Sequence, residues 1–126
     1  MSNYVLVTGG AGYIGSHSVL ALMEAGYDPI VLDNFSNSSK ESISGIKRIY
    51  GSGPVVIEGN TGNSSLLMDI FSSYEVNSVL HFSGLKSVEE SMADPLKYYT
   101  ENVGSSLSLL RTMQEASIQT IIFSSS

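Results

Sequence analysis

Apolar residues along this chain fall into short, β-branched runs that alternate with stretches of helical periodicity. The first run, Tyr4-Val5-Leu6-Val7, leads directly into Thr8-Gly9-Gly10-Ala11-Gly12, as a buried strand entering a glycine turn would. From Tyr13 to about Ala25, the residues Ile14, His17, Ser18, Ala21, Leu22 and Ala25 recur at i, i+3, i+4 spacing. They predict a helix packed on that face, with Gly26 at the expected C-cap. Ile30-Val31-Leu32, entered from Pro29 and closed by Asp33-Asn34, reads as a second strand. The serine-rich stretch from Phe35 to Gly53 carries a weak helical pattern at Ile43, Ile46, Ile49 and Tyr50, so a loop and a short helix are expected.

The alternation continues through the second half. Val55-Val56-Ile57 predicts strand three, Ser64 to Ser73 a helix with apolar Leu66, Leu67, Ile70 and Phe71, and Val79-Leu80-His81-Phe82 strand four. Pro95 suits the first turn of a longer helix reaching about Ala116, its packed face expected at Tyr99, Val103, Leu107, Leu110 and Met113. Thr120-Ile121-Ile122-Phe123 is strand five. Five apolar strands separated by helices imply an α/β fold, a doubly wound parallel sheet, because parallel neighbours need crossover connections that run right-handed.

Composition narrows the chemistry. The 126 residues suffice for one domain, and a net charge of −6 without a basic cluster argues against a nucleic-acid surface. Cysteine is absent, which excludes disulfides and thiolate metal sites. No signal peptide or membrane-length apolar stretch is visible, so a cytoplasmic protein is expected. Because Ser124-Ser125-Ser126 follows directly on a predicted central strand, the chain is expected to be a fragment lacking later strands.

Gly10-Ala11-Gly12-Tyr13-Ile14-Gly15 has the G-x-G-x-x-G spacing, between a predicted strand and a predicted helix. Glycines there allow the backbone to approach a pyrophosphate, whose charge meets the unpaired N–H groups of the helix N-terminus. Asp33 stands 18 residues beyond Gly15, where a carboxylate accepts from ribose hydroxyls and repels a 2′-phosphate; NAD is favoured over NADP. Small residues after strands three and four, Gly59-Asn60 and Ser83-Gly84, permit close cofactor contact, and Lys86 could meet a phosphate or ribose oxygen. His17 and His81 have no partner at metal or triad spacing and read as helix-face or core residues.

Thr8 to His17, Leu32-Asp33-Asn34, His81 to Lys86 and Phe123 to Ser126, together with Pro95-Leu96-Lys97-Tyr98-Tyr99, resemble the UDP-glucose 4-epimerase family of the extended short-chain dehydrogenase/reductase superfamily. The resemblance implies a Rossmann-like domain in which Gly9, Gly12, Tyr13, Ile14 and Gly15 hold the NAD pyrophosphate. It implies Asp33, Asn34, Asn37 and Ser38 around the adenosine ribose, Asn60 and Thr61 near the adenine, and Phe82, Ser83, Gly84 and Lys86 on the nicotinamide side. Asn102 would stand in the family's helix motif beside the cofactor, and Ser126 would be the active-site serine that hydrogen-bonds the sugar's 4-oxygen. UDP-glucose and UDP-galactose would be the substrates of the parent protein, itself a homodimer built from helices; a dimer of these residues alone is not expected.

Three departures qualify that likeness. Asn60 stands where the family has aspartate, so weaker adenine binding is expected. The family's Asn-Val-x-Gly-Thr reads Asn102-Val103-Gly104-Ser105-Ser106, which questions close helix packing at that point. The Tyr-x-x-x-Lys pair does not occur, so these residues by themselves are expected to be inactive. The alternative is a non-catalytic module that binds or senses NAD.

Overall fold

A computed structural model describes residues 3–35, 40–82 and 92–123, apart from the side chains of Tyr98 and Tyr99. The elements are β1 (Tyr4–Thr8), α1 (Tyr13–Glu24), β2 (Asp28–Asp33), α2 (Glu41–Tyr50), β3 (Val55–Glu58), α3 (Ser64–Ser73), β4 (Val76–His81), α4 (Pro95–Glu115) and β5 (Ile121–Phe123). The strands pair in parallel in the order β3-β2-β1-β4-β5. The chain therefore winds outward from β1 to β3, then returns past β1 to lay down β4 and β5. That reversal between β1 and β4 is the switch point where an open α/β sheet opens a crevice at the carboxyl ends of its strands.

Both faces of the sheet are covered at β1 and β2, which explains the nearly continuous apolar runs of these strands. On one side Leu6, Ile30, Leu32 and Val79 pack with Leu67 and Ile70 of α3 and Leu109 and Met113 of α4. On the other, Val5, Val7 and Val31 pack with Val19 and Met23 of α1 and Ile46 of α2. Pro29 lies inside β2 although that strand is central. Pairing with β3 begins only at Ile30, while the preceding Asp28 N–H donates to Asn3 O on the β1 side, so the proline interrupts no ladder bond.

Two helix faces differ from the sequence expectation. In α1 the buried residues are Gly15, Val19 and Met23, whereas Ile14, His17 and Ala21 are exposed. The loop before α1 must lie against β1 and β2, which turns the glycine-bearing face inward. In α4, Leu109, Thr112 and Met113 are buried, with Ser105 and Ser106 partly so, while Val103, Leu107 and Leu110 are exposed. The helix thus meets the sheet through Leu109 and Met113 together with small and polar side chains, and leaves an apolar row outside. In α2, Ile49 and Tyr50 of the expected face are exposed, and Ile46 is the buried anchor.

Side-chain caps set the starts of two helices. Asn63 accepts from Leu66 N at 3.1 Å at the start of α3, and Asp94 accepts from Lys97 N at 3.1 Å at the start of α4, where Pro95 occupies the first turn. Replacing Asn63 by alanine is expected to lower stability by about 1 kcal/mol, measured as a shift of the urea midpoint at unchanged slope.

Candidate functional site: a glycine loop and its acid at the switch point

Every described residue of the candidate set lies at the carboxyl edge of the sheet or on an element leaving it. β1 ends at Thr8, and Gly9 takes a left-handed conformation (φ +69°) that lets its N–H donate to Leu32 O of β2 at 2.8 Å. Gly12 N then donates to Gly9 O at 3.1 Å, closing the turn beneath α1. Gly15 lies so close to this turn that a Cβ there would stand 2.2 Å from Gly9 O. The glycines bring loop and helix into contact, which is the role assigned to the last glycine of such a motif.

No side chain caps α1, unlike the starts of α3 and α4. Tyr13 and Ile14 extend into solvent beside this terminus. An uncapped helix start approached by a glycine loop suits a pyrophosphate, because backbone N–H groups and the helix dipole both favour negative charge.

Asp33 closes the loop from the β2 side. Its Oδ2 accepts from Ala11 N at 3.0 Å and its Oδ1 from Phe35 N at 2.8 Å, which fixes the buried carboxylate between the glycine loop and the β2–α2 turn. The second bond also supports Phe35, which has φ +58°. A carboxylate only accepts, which is the chemistry that suits ribose hydroxyls and repels a phosphate. Lys40, the first cation after Asp33 in the sequence, lies 3.2 Å from Glu58 and over the Phe35 ring. The donor set and the glycine cradle therefore fit a dinucleotide without a 2′-phosphate.

Farther along the edge, Asp33 O accepts from Gly59 N at 3.0 Å and Asn34 Nδ2 donates to Asn60 Oδ1 at 2.8 Å, so the loops leaving β2 and β3 are joined twice. Thr61 is buried, and the adjacent Gly62 leaves room for α4: a Cβ there would lie 3.3 Å from Ser105 Oγ. The close packing that the altered helix motif called into question is thus kept by a glycine on the facing turn. Asn102 is half-buried on the same helix. Asn37, Ser38, Ser83, Gly84, Lys86 and Ser126 lie outside the described residues.

The connection made by His81 was not visible in the sequence. Its Nδ1 lies 2.6 Å from Thr8 Oγ1 and its Nε2 lies 3.1 Å from Ser106 Oγ, while Phe82 N donates to Thr8 Oγ1 at 3.1 Å. The imidazole is buried and meets the edge of Phe123 in β5 at 5.4 Å between ring centres. It belongs to the core, as expected, and there it ties the strand that launches the glycine loop to β4 and α4. Partners 73 residues apart in sequence have no local spacing that could reveal them. His17 sits exposed on α1 against Tyr13, and among the described residues no cluster of acids and histidines could hold a metal.

Comparison with known proteins agrees with this geometry. UDP-glucose 4-epimerase of Yersinia enterocolitica is 50% identical over 122 residues, 97% of this chain and 36% of that protein. A crystal structure of UDP-glucose-4-epimerase from Stenotrophomonas maltophila with bound NAD and formylated UDP-arabinopyranose superposes with a TM-score of 0.95 at 40% identity, covering 100% of this chain and 37% of that one. The enzyme from Bifidobacterium longum in complex with NAD+ and UDP gives 0.95 and 40%, over 98% and 37%. The chain thus spans little more than a third of these relatives, matching their amino-terminal part. The profile of the NAD dependent epimerase/dehydratase family matches residues 5–126, and the chain belongs to that family.

Proposed function

We propose that these residues are the NAD-binding part of a UDP-glucose 4-epimerase that interconverts UDP-glucose and UDP-galactose. The observation that carries the reading is the Asp33 carboxylate, held by Ala11 N and Phe35 N beside an uncapped helix start. When bound, NAD supplies a reversible hydride acceptor for the sugar's C4. The chain's own residues bind and orient. Gly9, Gly12, Tyr13, Ile14 and Gly15 present the loop and helix N-terminus to the pyrophosphate. Asp33 accepts from the adenosine ribose, with Asn34, Asn37 and Ser38 around it, and Asn60 and Thr61 border the base. Thr8, His81 and Ser106 join β1, β4 and α4, and Phe82, Ser83, Gly84, Lys86 and Asn102 bind the nicotinamide half. Ser126 hydrogen-bonds the sugar's 4-oxygen.

The proposal extends to a cytoplasmic protein acting in galactose metabolism and to a homodimer of the longer protein. The exposed row Val103, Leu107 and Leu110 on α4 supports an association through that helix.

The test is Asp33→Ala. Losing hydrogen bonds to a charged acceptor is expected to weaken NAD binding about 10–100-fold and to narrow the preference for NAD over NADP. Unchanged affinity for both cofactors, measured by calorimetry, would remove the basis of the reading. Conversion of UDP-glucose to UDP-galactose by the protein expressed from its whole reading frame tests the catalytic half. Its absence, with NAD binding retained, would favour a non-catalytic NAD-binding module.

A further inference from the structure

A dinucleotide with its pyrophosphate over β1 and its ribose at Asp33 on β2 continues outward, so its base reaches the loops leaving β2 and β3. Two exposed carboxamides meet there, Asn34 donating to Asn60 at 2.8 Å. Their loops are clamped by the Gly59 N–H to Asp33 O bond just beneath. The nearby acid Glu58 is engaged by Lys40. The base therefore meets amide groups on a fixed frame.

Amides and carboxylates read a purine differently. A carboxylate only accepts, so it favours the 6-amino group of adenine and repels the 6-oxo group of hypoxanthine. A carboxamide both donates and accepts. Asn60 Oδ1 accepts from Asn34, so Nδ2 is the end of the Asn60 amide left to donate to a base. Its N–H groups can donate to ring N1 of a 6-aminopurine or to O6 of a 6-oxopurine.

We propose that Asn60 is a specificity-determining residue that makes the base subsite indifferent between 6-amino and 6-oxo purine dinucleotides. This rests on the dinucleotide reading of the site and adds the class of base that it takes.

The test loads the purified protein with an equimolar mixture of NAD and nicotinamide hypoxanthine dinucleotide, then releases and quantifies the bound cofactors by chromatography. The two are expected within about threefold of each other, less than one net hydrogen bond provides. In Asn60→Asp the bound fraction is expected to swing toward NAD by about tenfold, as an acceptor-only group faces O6. Asn60 is exposed and the change nearly isosteric, and circular dichroism verifies the fold. A larger NAD excess in the unsubstituted protein, or a ratio that Asn60→Asp leaves unmoved, overturns the proposal while leaving dinucleotide binding intact. Failure to retain either cofactor would instead overturn the dinucleotide reading itself, and this proposal with it.

Discussion

Alanine at position 15 is expected to weaken NAD binding by about 100-fold or more, the combined loss of two or more charge-assisted hydrogen bonds. The added Cβ would stand 2.2 Å from Gly9 O, 2.9 Å from Gly10 Cα and 3.0 Å from Gly9 C. All three are backbone atoms, so no side-chain rotation relieves the overlap. Nor is the loop free to retreat. Gly9 N is bonded to Leu32 O, Gly12 N to Gly9 O and Ala11 N to Asp33 Oδ2, so the loop is tied to β2 and to itself. Either α1 lifts away from β1 or those bonds break, and both outcomes displace the N–H groups proposed to meet the pyrophosphate. Overpacking of this kind also costs about 1–3 kcal/mol of stability. Calorimetric titration with NAD beside urea denaturation separates the two effects. Affinity retained within about threefold, well under one net hydrogen bond, would show that the close approach is not required.

The largest effect on stability is expected from Leu6→Ala, a loss of about 3–5 kcal/mol. Leu6 is fully buried in β1, the middle strand of five, and packs in one cluster with Ile30, Leu32, Leu67, Val79 and Leu109. Its neighbours come from β2, β4, α3 and α4, so the cavity is walled by elements that cannot collapse independently. Against a domain stability of about 5–15 kcal/mol the substitution removes a large share. The prediction is checked by the denaturation midpoint at constant slope; a loss below about 1 kcal/mol would mean that the core closes around the missing methyls.

Much of the fold was readable because the deciding interactions are local. Each strand was visible as an apolar run, and the helices as periodic stretches with recognisable starts or stops at Pro95 and Gly26. The site was readable for the same reason: a glycine motif needs loop and helix adjacent in sequence, and Asp33 follows at a distance set by one βαβ unit. The rest depended on which way each helix turned. In α1 and α4 several apolar sets satisfy the same period, and only docking against the sheet chose Val19 and Met23, or Leu109 and Met113.

By itself, then, the sequence determined the alternation of strands and helices, the parallel α/β class and the loop–acid pair, all dictated by backbone propensity and short spacings. Only the tertiary structure decided the strand order, the small-residue face of α4 against Gly62, and the links from His81 to Thr8 and from Asn34 to Asn60. Those partners lie 73 and 26 residues apart, and their meeting is fixed by which strands become neighbours, a property of the whole sheet that no local pattern encodes.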